Sequence, residues 1–451
     1  MTEPYAMTTA PGALPLLGHL PNLLRNPLAF LESLAACGDL VQVRVGTLRI
    51  YVACHPELAH EVLVNDQVFD KGGMLYDAAK DVLGNGLANC PHSEHRRQRR
   101  LTQPAFHHLR LPGYAQVMTE QIPKVTETWG DSERIDPFAE MSELAARVAT
   151  ATLFAAHYGH GVAEKYLEDI AVISRAFLWR AVLPNAVLAL PTHGNRRYAH
   201  ASARLRATIT GVITDYRHDG IDHGDLLSML LRTHDDYGQG LSDAEIHDQV
   251  LVFFAAGIDT TAATLAWALH MLAQQPALQQ RLHTETDPVL AGRTATWDDL
   301  PKLDLTRRII TETLRLYPAG WVFTRTTTAD TELGGHPILA GTSVAVSPYI
   351  IHRRADIYTD PREFDPDRWL GREAPAQPRH GYLPFGSGAR KCIGASFATT
   401  QAALALASIA ARWRIEVDSG KPVHPRLRTT LVPQPVPLRA IAREVGGGVY
   451  R

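Results

Sequence analysis

The chain has 451 residues, 45% hydrophobic and 20% charged, a composition typical of a globular protein with a large core. Its 45 Lys and Arg residues nearly balance its 47 Asp and Glu residues, so no net field favours nucleic acid or an anionic membrane. The four cysteines (37, 54, 90 and 392) lack the spacing of a disulfide framework or zinc site, which indicates a reduced, cytoplasmic protein.

The first thirty residues form a proline-rich segment. Prolines 11, 15, 21 and 27 interrupt every short apolar stretch, and none approaches the roughly 20 residues that span a bilayer. The sequence therefore predicts neither a signal peptide nor a membrane anchor. No repeat or linker interrupts the rest, so we expect residues 1–451 to form one domain and the protein to be a monomer.

The next local signals predict a few strands and many helices. Residues 40–54 hold two runs rich in β-branched residues around Gly46-Thr47, which predicts a hairpin, and a short helical pattern opens at His55. Helical periodicity then dominates, and strand-like pieces return near 320–348 and in the last forty residues, where five prolines exclude helix. We therefore expect a mainly α fold with small peripheral β-sheets.

The clearest predicted helix runs through the middle of the chain. Ser242-Asp243-Ala244-Glu245 is a capping box, and helix-compatible sequence continues to Gln275, before Pro276. Its middle is apolar nearly all round, so the helix should be central. Burying Asp259 and Thr260 in that run carries a desolvation penalty that calls for an explanation.

The segment from Phe385 to Gly394 (FGSGARKCIG) predicts a ligand site. Its glycines let the backbone turn tightly and approach a flat ligand, and Arg390 and Lys391 place positive charge beside Cys392, which favours the metal-binding thiolate. The helical run after Gly394 can also place the sulfur near a helix N-terminus. A lone cysteine is more often buried and inert, but the whole arrangement favours a metal ligand.

This segment resembles the haem-binding loop of the cytochrome P450 family. The resemblance implies that Cys392 is the axial ligand of a haem b iron, that Phe385 packs near the sulfur, and that Arg390 meets a haem propionate. Gly394 recurs in the same motif. The implied fold places the haem between the long central helix and the helix that follows the Cys loop.

Residues 256–261 (AGIDTT) resemble the family's oxygen-activation motif. The resemblance implies a groove for O2 beside Ala256, with Thr260 holding water there and Asp259 supplying the two protons that the reaction consumes. The structural alternative is a Thr that bonds back to the preceding turn and bends the helix.

Two further sets of charged residues match the family. Glu312 and Arg315, at i and i+3 on a predicted helix, and Arg368 resemble a structural triad that supports the Cys loop, with Trp369 where many members have Phe. Among cations, His95, Arg99 and Arg325 match propionate-binding residues, which a buried dicarboxylate requires. Arginines 96, 97 and 100 serve either solubility or the docking of an acidic electron donor.

Substrate contacts are expected from three segments of the family architecture. They are Met74, Leu75 and Leu83 in the loop 71–90, Phe253 on the central helix, and Val322 and Phe323 before Arg325. A helical hairpin around 165–205, with Phe177, Leu178 and Trp179, is expected to form a mobile lid. These residues favour an apolar small molecule, and two N-terminal segments resemble soluble bacterial sesquiterpene hydroxylases.

The resemblance therefore implies a monooxygenase that inserts one oxygen atom of O2 into an unactivated C–H bond of an apolar small molecule. The expected substrate is a sesquiterpene. Because the chain has no flavin or iron–sulfur signature, electrons from NAD(P)H must come through a separate ferredoxin reductase and ferredoxin. A hydroxylase of another secondary metabolite or of a fatty acid, a peroxide-driven enzyme and a non-catalytic haem-thiolate sensor stay open. Terpene cyclisation is disfavoured, since Asp235-Asp236 lacks a third acid and is typical of a turn.

Overall fold

The long helix predicted from Ser242 is the centre of the fold. In the computed structural model, which describes residues 5–154, 161–183, 185–235, 237–371 and 380–444, it spans Asp243–Gln274. The capping box is present: the Ser242 hydroxyl accepts from the Glu245 amide (3.2 Å), and the Glu245 carboxylate accepts from the Ser242 amide (2.8 Å). Of the described helices it alone is long and apolar enough to cross a membrane, and 72% of its most apolar window is buried, as in a core helix.

The mainly α prediction is confirmed, since 56% of the described residues are helical. The described α-helices, in chain order, are α1 Leu20–Arg25, α2 Pro27–Leu34, α3 Pro56–Val64, α4 Met74–Leu83, α5 His92–Thr102, α6 Leu111–Gln121, α7 Pro123–Thr126, α8 Pro137–Leu153, α9 Val162–Val182, α10 Asn185–Leu188, α11 His193–Asp219, α12 Leu226–Arg232, α13 Asp243–Gln274, α14 Pro276–Leu290, α15 Asp304–Leu316, α16 Pro348–Ile351 and α17 Ala395–Arg412. Helix α13 packs against α8, α15 and α17, and these four carry much of the largest hydrophobic cluster.

The strands form small sheets at the periphery. They are β1 Met7–Thr9, β2 Leu40–Val45, β3 Leu48–Ala53, β4 Phe69–Lys71, β5 Glu133–Ile135, β6 Phe323–Thr327, β7 Thr331–Leu333, β8 His336–Ile338, β9 Ser343–Val346, β10 Trp413–Val417, β11 Pro425–Leu427, β12 Leu431–Pro433 and β13 Leu438–Ala442. The described strands give one six-stranded sheet (β1-β2-β3-β9-β6-β4), one three-stranded sheet and two two-stranded ribbons. The predicted hairpin is confirmed, with Val45 opposite Leu48 and Gly46 at a positive φ in the turn.

The predicted lid corresponds to α9 and α11, which pack on each other. Phe177 and Leu178 are half-buried, whereas Trp179 is exposed. Movement of this hairpin stays a prediction, as does a single domain over 1–451, whose first four residues lie outside the described part.

A fully buried ion pair ties α15 to the chain that leads to the Cys loop. The Glu312 carboxylate accepts from Arg315 Nε (2.8 Å) and Nη2 (2.7 Å), and from Arg368 Nε (3.3 Å). Trp369, where many family members have Phe, donates its indole N–H to the same carboxylate (2.9 Å). The triad residues thus lie together as expected, and Trp369 adds a hydrogen bond that Phe lacks.

Replacing Arg315 with Met should destabilise the protein severely. It leaves the Glu312 charge buried without its main partner, a change that costs about 3–5 kcal/mol of unfolding free energy. Trp369→Phe removes a single hydrogen bond and should cost about 0.5–1.5 kcal/mol. Urea unfolding of the haem-loaded protein measures both.

The matched control is Arg307→Met on the same helix, because Arg307 pairs with Asp304 at the surface (2.7 Å). Such an exposed pair contributes at most about 1 kcal/mol. Equal losses for the Arg315 and Arg307 variants would contradict the assigned role of the buried pair.

Candidate active site

A cavity of about 310 Å³ lies between the middle of α13 and the Cys loop. Ala256 and Cys392 are both exposed, and both border this space. The predicted site residues that line it are His95, Arg99, Phe253, Ala256, Thr260, Phe323, Arg325, Phe385, Arg390, Cys392 and Gly394. The fold therefore brings together segments that are up to 300 residues apart in sequence.

The Cys loop is held in place by its backbone. The Cys392 amide donates to the Phe385 carbonyl (2.9 Å), which closes the loop, and Gly394 is the N-cap of α17 with its amide toward the sulfur. Gly388 has φ +69°, and a Cβ there would lie 2.7 Å from the Leu63 carbonyl oxygen. Only glycine therefore permits both the conformation and the close approach of the loop to α3.

The Cys392 thiol opens onto the cavity and not onto bulk solvent, and its desolvation outweighs the local charges, Lys391 among them as predicted, that favour the thiolate. Burial raises the pKa of this thiol, and the Gly394 amide and the charges of Arg99, Lys71 and Lys391 offset that effect only in part. Arg390 is not among these influences.

Arg390 is instead bound by two carboxylates. Its Nε donates to Asp66 (3.0 Å), its Nη2 to Asp70 (2.8 Å) and its Nη1 to the Cys90 carbonyl (2.7 Å). Its side chain is 1% exposed. The guanidinium expected to meet a propionate thus borders the cavity with most of its donors already occupied.

The other cations at this end of the cavity are less completely paired. Arg99 donates to the Lys391 carbonyl (2.7 Å), and burial together with the nearby Arg390 charge lowers the pKa of His95 to about 4, so His95 is neutral at pH 7. Arg325 is 3% exposed, and its Nε has no hydrogen-bond partner among the described residues.

The sequence reasoning missed a fourth cation, Lys71, at the end of β4. Its ammonium donates to the Tyr76 hydroxyl (3.0 Å). Burial alone would raise the pKa of Tyr76, but Lys71 and Arg325 outweigh it and lower that pKa to about 7. The only signal in the sequence was a lysine before Gly72-Gly73, which is too weak to assign a site.

These features fit haem b. Among the described residues no carboxylate lies within 4.0 Å of the side-chain nitrogens of Lys71 or Arg325, and these two cations at the cavity share the Tyr76 hydroxyl as a partner. Two propionates would supply the missing charges, since buried charges need partners. The remaining wall is largely apolar, and the exposed Cys392 thiol is a soft metal ligand.

Asp259 and Thr260 face different surroundings although they are adjacent. The Thr260 hydroxyl donates back to the Ala256 carbonyl (2.6 Å) and borders the cavity, and the helix continues without a break. Asp259 does not border the cavity and accepts from the Thr429 hydroxyl (3.3 Å). Burial raises the pKa of Asp259 to about 6, against the opposing influences of Thr429 and Arg428.

The expected substrate contacts divide into three groups. Phe253 and Phe323 border the large cavity, whereas Leu75 and Val322 border a second cavity of about 140 Å³. Met74 and Leu83 border neither. The sequence missed several residues that line the large cavity on the side of α13, namely Phe106, Leu153 and Val252.

The arginine run on α5 is only partly available at the surface. Arg97 is bound by Glu245 (2.6 Å), Asp235 (3.5 Å) and the Gly240 carbonyl (2.6 Å), whereas Arg96 and Arg100 are exposed. Asp235 is therefore engaged in an ion pair, and Asp236 lies outside the described residues. Within the described part, no group of three His, Cys, Asp or Glu side chains is arranged to hold a metal ion.

Comparison with known proteins agrees with this geometry. The family model for cytochrome P450 matches residues 9–441. A pentalenene oxygenase of Streptomyces avermitilis is 44% identical over 443 residues, 98% of this chain and 99% of the relative. Two proteins of Streptomyces melanosporofaciens are also similar: cyclooctat-9-en-7-ol 5-monooxygenase (44% over 420 residues, 93% and 91% of the two chains) and cyclooctatin synthase (45% over 439 residues, 96% and 95%).

The family match spans nearly the whole chain, and these relatives cover more than two thirds of it at over 30% identity. The protein therefore uses haem iron and O2, with NAD(P)H as the typical electron source through redox partners. The chain belongs to the cytochrome P450 family and is a monooxygenase.

Proposed function

We propose that this protein hydroxylates a terpene, a sesquiterpene such as pentalenene, by inserting one oxygen atom of O2 into an unactivated C–H bond. Electrons come from NAD(P)H through a ferredoxin reductase and a ferredoxin. The observation that carries the proposal is the large cavity, in which an exposed thiol and a row of cations face an otherwise apolar wall. We place the reaction in the cytoplasm, consistent with the four free cysteines.

The proposed cofactor site uses the residues at the charged end of the cavity. Cys392 ligates the haem iron, Arg99, Arg325 and Lys71 hold the propionates with His95, and Phe385, Gly394 and Ala256 form the apolar faces. Haem, once bound, supplies the iron at which O2 is reduced. Arg390 then acts mainly by fixing the loop through Asp66 and Asp70.

The delivery of protons is assigned to Asp259 and Thr260 of α13. Thr260 keeps its hydroxyl oxygen at the cavity and holds water there, while its own proton is bound to the Ala256 carbonyl. Asp259, with a pKa near 6, takes up and releases protons close to neutral pH. This acid–alcohol pair favours O2-dependent chemistry over a sensor without catalysis.

An apolar substrate is favoured by the distribution of charge. The charged residues that line the large cavity are those assigned to the cofactor and the loop, so none of the described residues that line this cavity is left to pair with a substrate carboxylate. Burying an unpaired carboxylate is costly, whereas a hydrocarbon gains roughly 25 cal/mol for each Å² that it buries. The names of the three relatives refer to terpenes or their derivatives and support the same class of substrate.

The electron donor is proposed to dock on the outer side of α5. Arg96 and Arg100 are exposed there, on the helix whose inner side carries His95 and Arg99. An acidic ferredoxin would be attracted to this side, and the attraction should weaken as salt increases.

Exchange of the proposed iron ligand tests the cofactor assignment. Cys392→His should still bind haem but lose the red-shifted band of the reduced carbonyl complex that marks a thiolate ligand. Absorption spectra of the carbonyl complex measure this. Cys54→Ser is the matched control, since Cys54 is buried in a different hydrophobic cluster. Loss of the band in that variant, or its absence in the wild type, would refute the assignment.

Removal of the Thr260 hydroxyl should uncouple electron use from product formation. Thr260→Ala should still bind haem and substrate, but it should form about tenfold less product per NAD(P)H consumed. Hydrogen peroxide should appear instead of product, because water in the groove loses its hydrogen-bond partner. Thr214→Ala removes a similar back-bonded hydroxyl from α11 and should leave the yield unchanged. Full yield in Thr260→Ala would remove Thr260 from the proton path.

Substrate class is tested by ligand-induced shifts of the haem Soret band. Pentalenene should shift the band at micromolar concentration. A fatty acid of similar carbon number should bind at least about tenfold more weakly, equal to 1.4 kcal/mol, and its alcohol should recover part of the difference. Tight binding of the fatty acid, with no response to any terpene, would overturn the substrate class but not the monooxygenase activity.

A further inference from the structure

Thr429, near the C-terminus, links Asp259 by hydrogen bonds to α9, the first helix of the predicted lid. Thr429 lies in the turn between β11 and β12, and its hydroxyl contacts both Asp259 Oδ2 (3.3 Å) and the Ser174 hydroxyl of α9 (3.1 Å). A threonine hydroxyl has one proton to donate and lone pairs to accept. With Asp259 ionised, the chain of donors therefore runs from Ser174 to Thr429 to Asp259.

Thr429 also borders the second cavity, whereas Asp259 does not. The polar residues Tyr76, Asn89, Arg428 and Thr429 line part of this cavity. Its volume of about 140 Å³ is below the roughly 300–1,000 Å³ of small-molecule pockets, but one water needs only about 10–15 Å³ and a few polar partners. The cavity thus suits several water molecules, with Thr429 between them and Asp259.

Burial raises the pKa of Asp259 to about 6, and the groups packed around it only partly oppose this effect. Arg428, from the same turn as Thr429, favours the carboxylate, and Tyr166 of α9 is fully buried nearby. The Tyr166 hydroxyl has no hydrogen-bond partner among the described residues. Arg428 and Thr429 both line the second cavity, and of the two Thr429 is the one whose hydroxyl is hydrogen-bonded to Asp259.

We propose that Thr429 is a positioning residue that passes protons from water in the second cavity to Asp259. This inference rests on the proposed function, in which Asp259 supplies the protons of the reaction. In each transfer the Thr429 hydroxyl gives its proton to Asp259 Oδ2 and takes one from a cavity water, which bulk solvent then reprotonates. One proton moves and no electrons are transferred. Ser174 orients the Thr429 hydroxyl, so the position of α9 affects the supply of protons to Asp259.

The first test is the titration of Asp259 itself, in the resting haem-loaded protein. The infrared C=O band of its protonated carboxyl, assigned by its absence in Asp259→Asn, should titrate near pH 6. Thr429→Val removes the donor to the carboxylate, so the pKa should rise by about one unit, a tenfold change in proton affinity. Thr429→Ser should restore the wild-type midpoint.

The second test is turnover with saturating electron donor. Thr429→Val should be slowed about as much as Asp259→Asn and show a larger solvent isotope effect, while its haem content, carbonyl spectrum and substrate-induced Soret shift stay normal. Thr430→Val is the control, because Thr430 is buried in the same turn and its hydroxyl has no partner among the described residues. It should leave both turnover and midpoint unchanged.

The results separate this inference from the proposed function. If Asp259→Asn slows turnover but Thr429→Val changes neither turnover nor midpoint, Thr429 is not on the path and the role of Asp259 stands. If Asp259→Asn leaves turnover unchanged, the proposed proton route fails first. Should Thr429→Val not fold, Ser174→Ala replaces it, with the midpoint expected to rise in the same direction by a smaller amount; no rise would overturn the inference.

Discussion

The buried Arg315 guanidinium is the interaction on which the rest of the site depends. Its five N–H groups all donate: two to the Glu312 carboxylate, and three to the carbonyls of His352, Pro361 and Glu363. His352 in turn accepts from the Leu383 amide (2.8 Å), immediately before the Cys loop. Burial lowers the pKa of His352 to about 3, so its ring stays neutral and keeps this acceptor. The position of the loop therefore follows from one completely satisfied cation.

The cations around the large cavity differ in how completely they are paired with carboxylates. Arg390 has two aspartates, whereas Lys71 and Arg325 have no carboxylate within 4.0 Å among the described residues. The ion pairs of Arg390 hold the Cys loop against the segment that contains Asp66 and Asp70. Lys71 and Arg325 leave positive charge that an anionic group of the cofactor would balance. Because haem binds only the folded site, its binding also stabilises the fold.

Helix geometry explains why the acid and the alcohol on α13 serve different neighbours. Residues four apart lie on one face, so Ala256 and Thr260 both border the cavity, whereas adjacent residues differ by about 100° around the axis. Asp259 therefore turns toward Thr429, whose hydroxyl also contacts Ser174 of α9.

Sequence alone determined the features whose contacts are local. The capping box before α13, the hairpin at residues 40–54, the turns of the Cys loop and the i, i+3 spacing of Glu312 and Arg315 each depend on a few neighbouring residues. Tertiary structure decided the rest: the aspartates that bind Arg390, the place of Lys71, and the partly buried positions of Met74 and Leu83 outside both cavities. Arg390 and Asp66 are 324 residues apart, and Thr429 and Asp259 are 170 apart. No local pattern specifies such pairings, because they form only when packing of the core brings distant segments into contact.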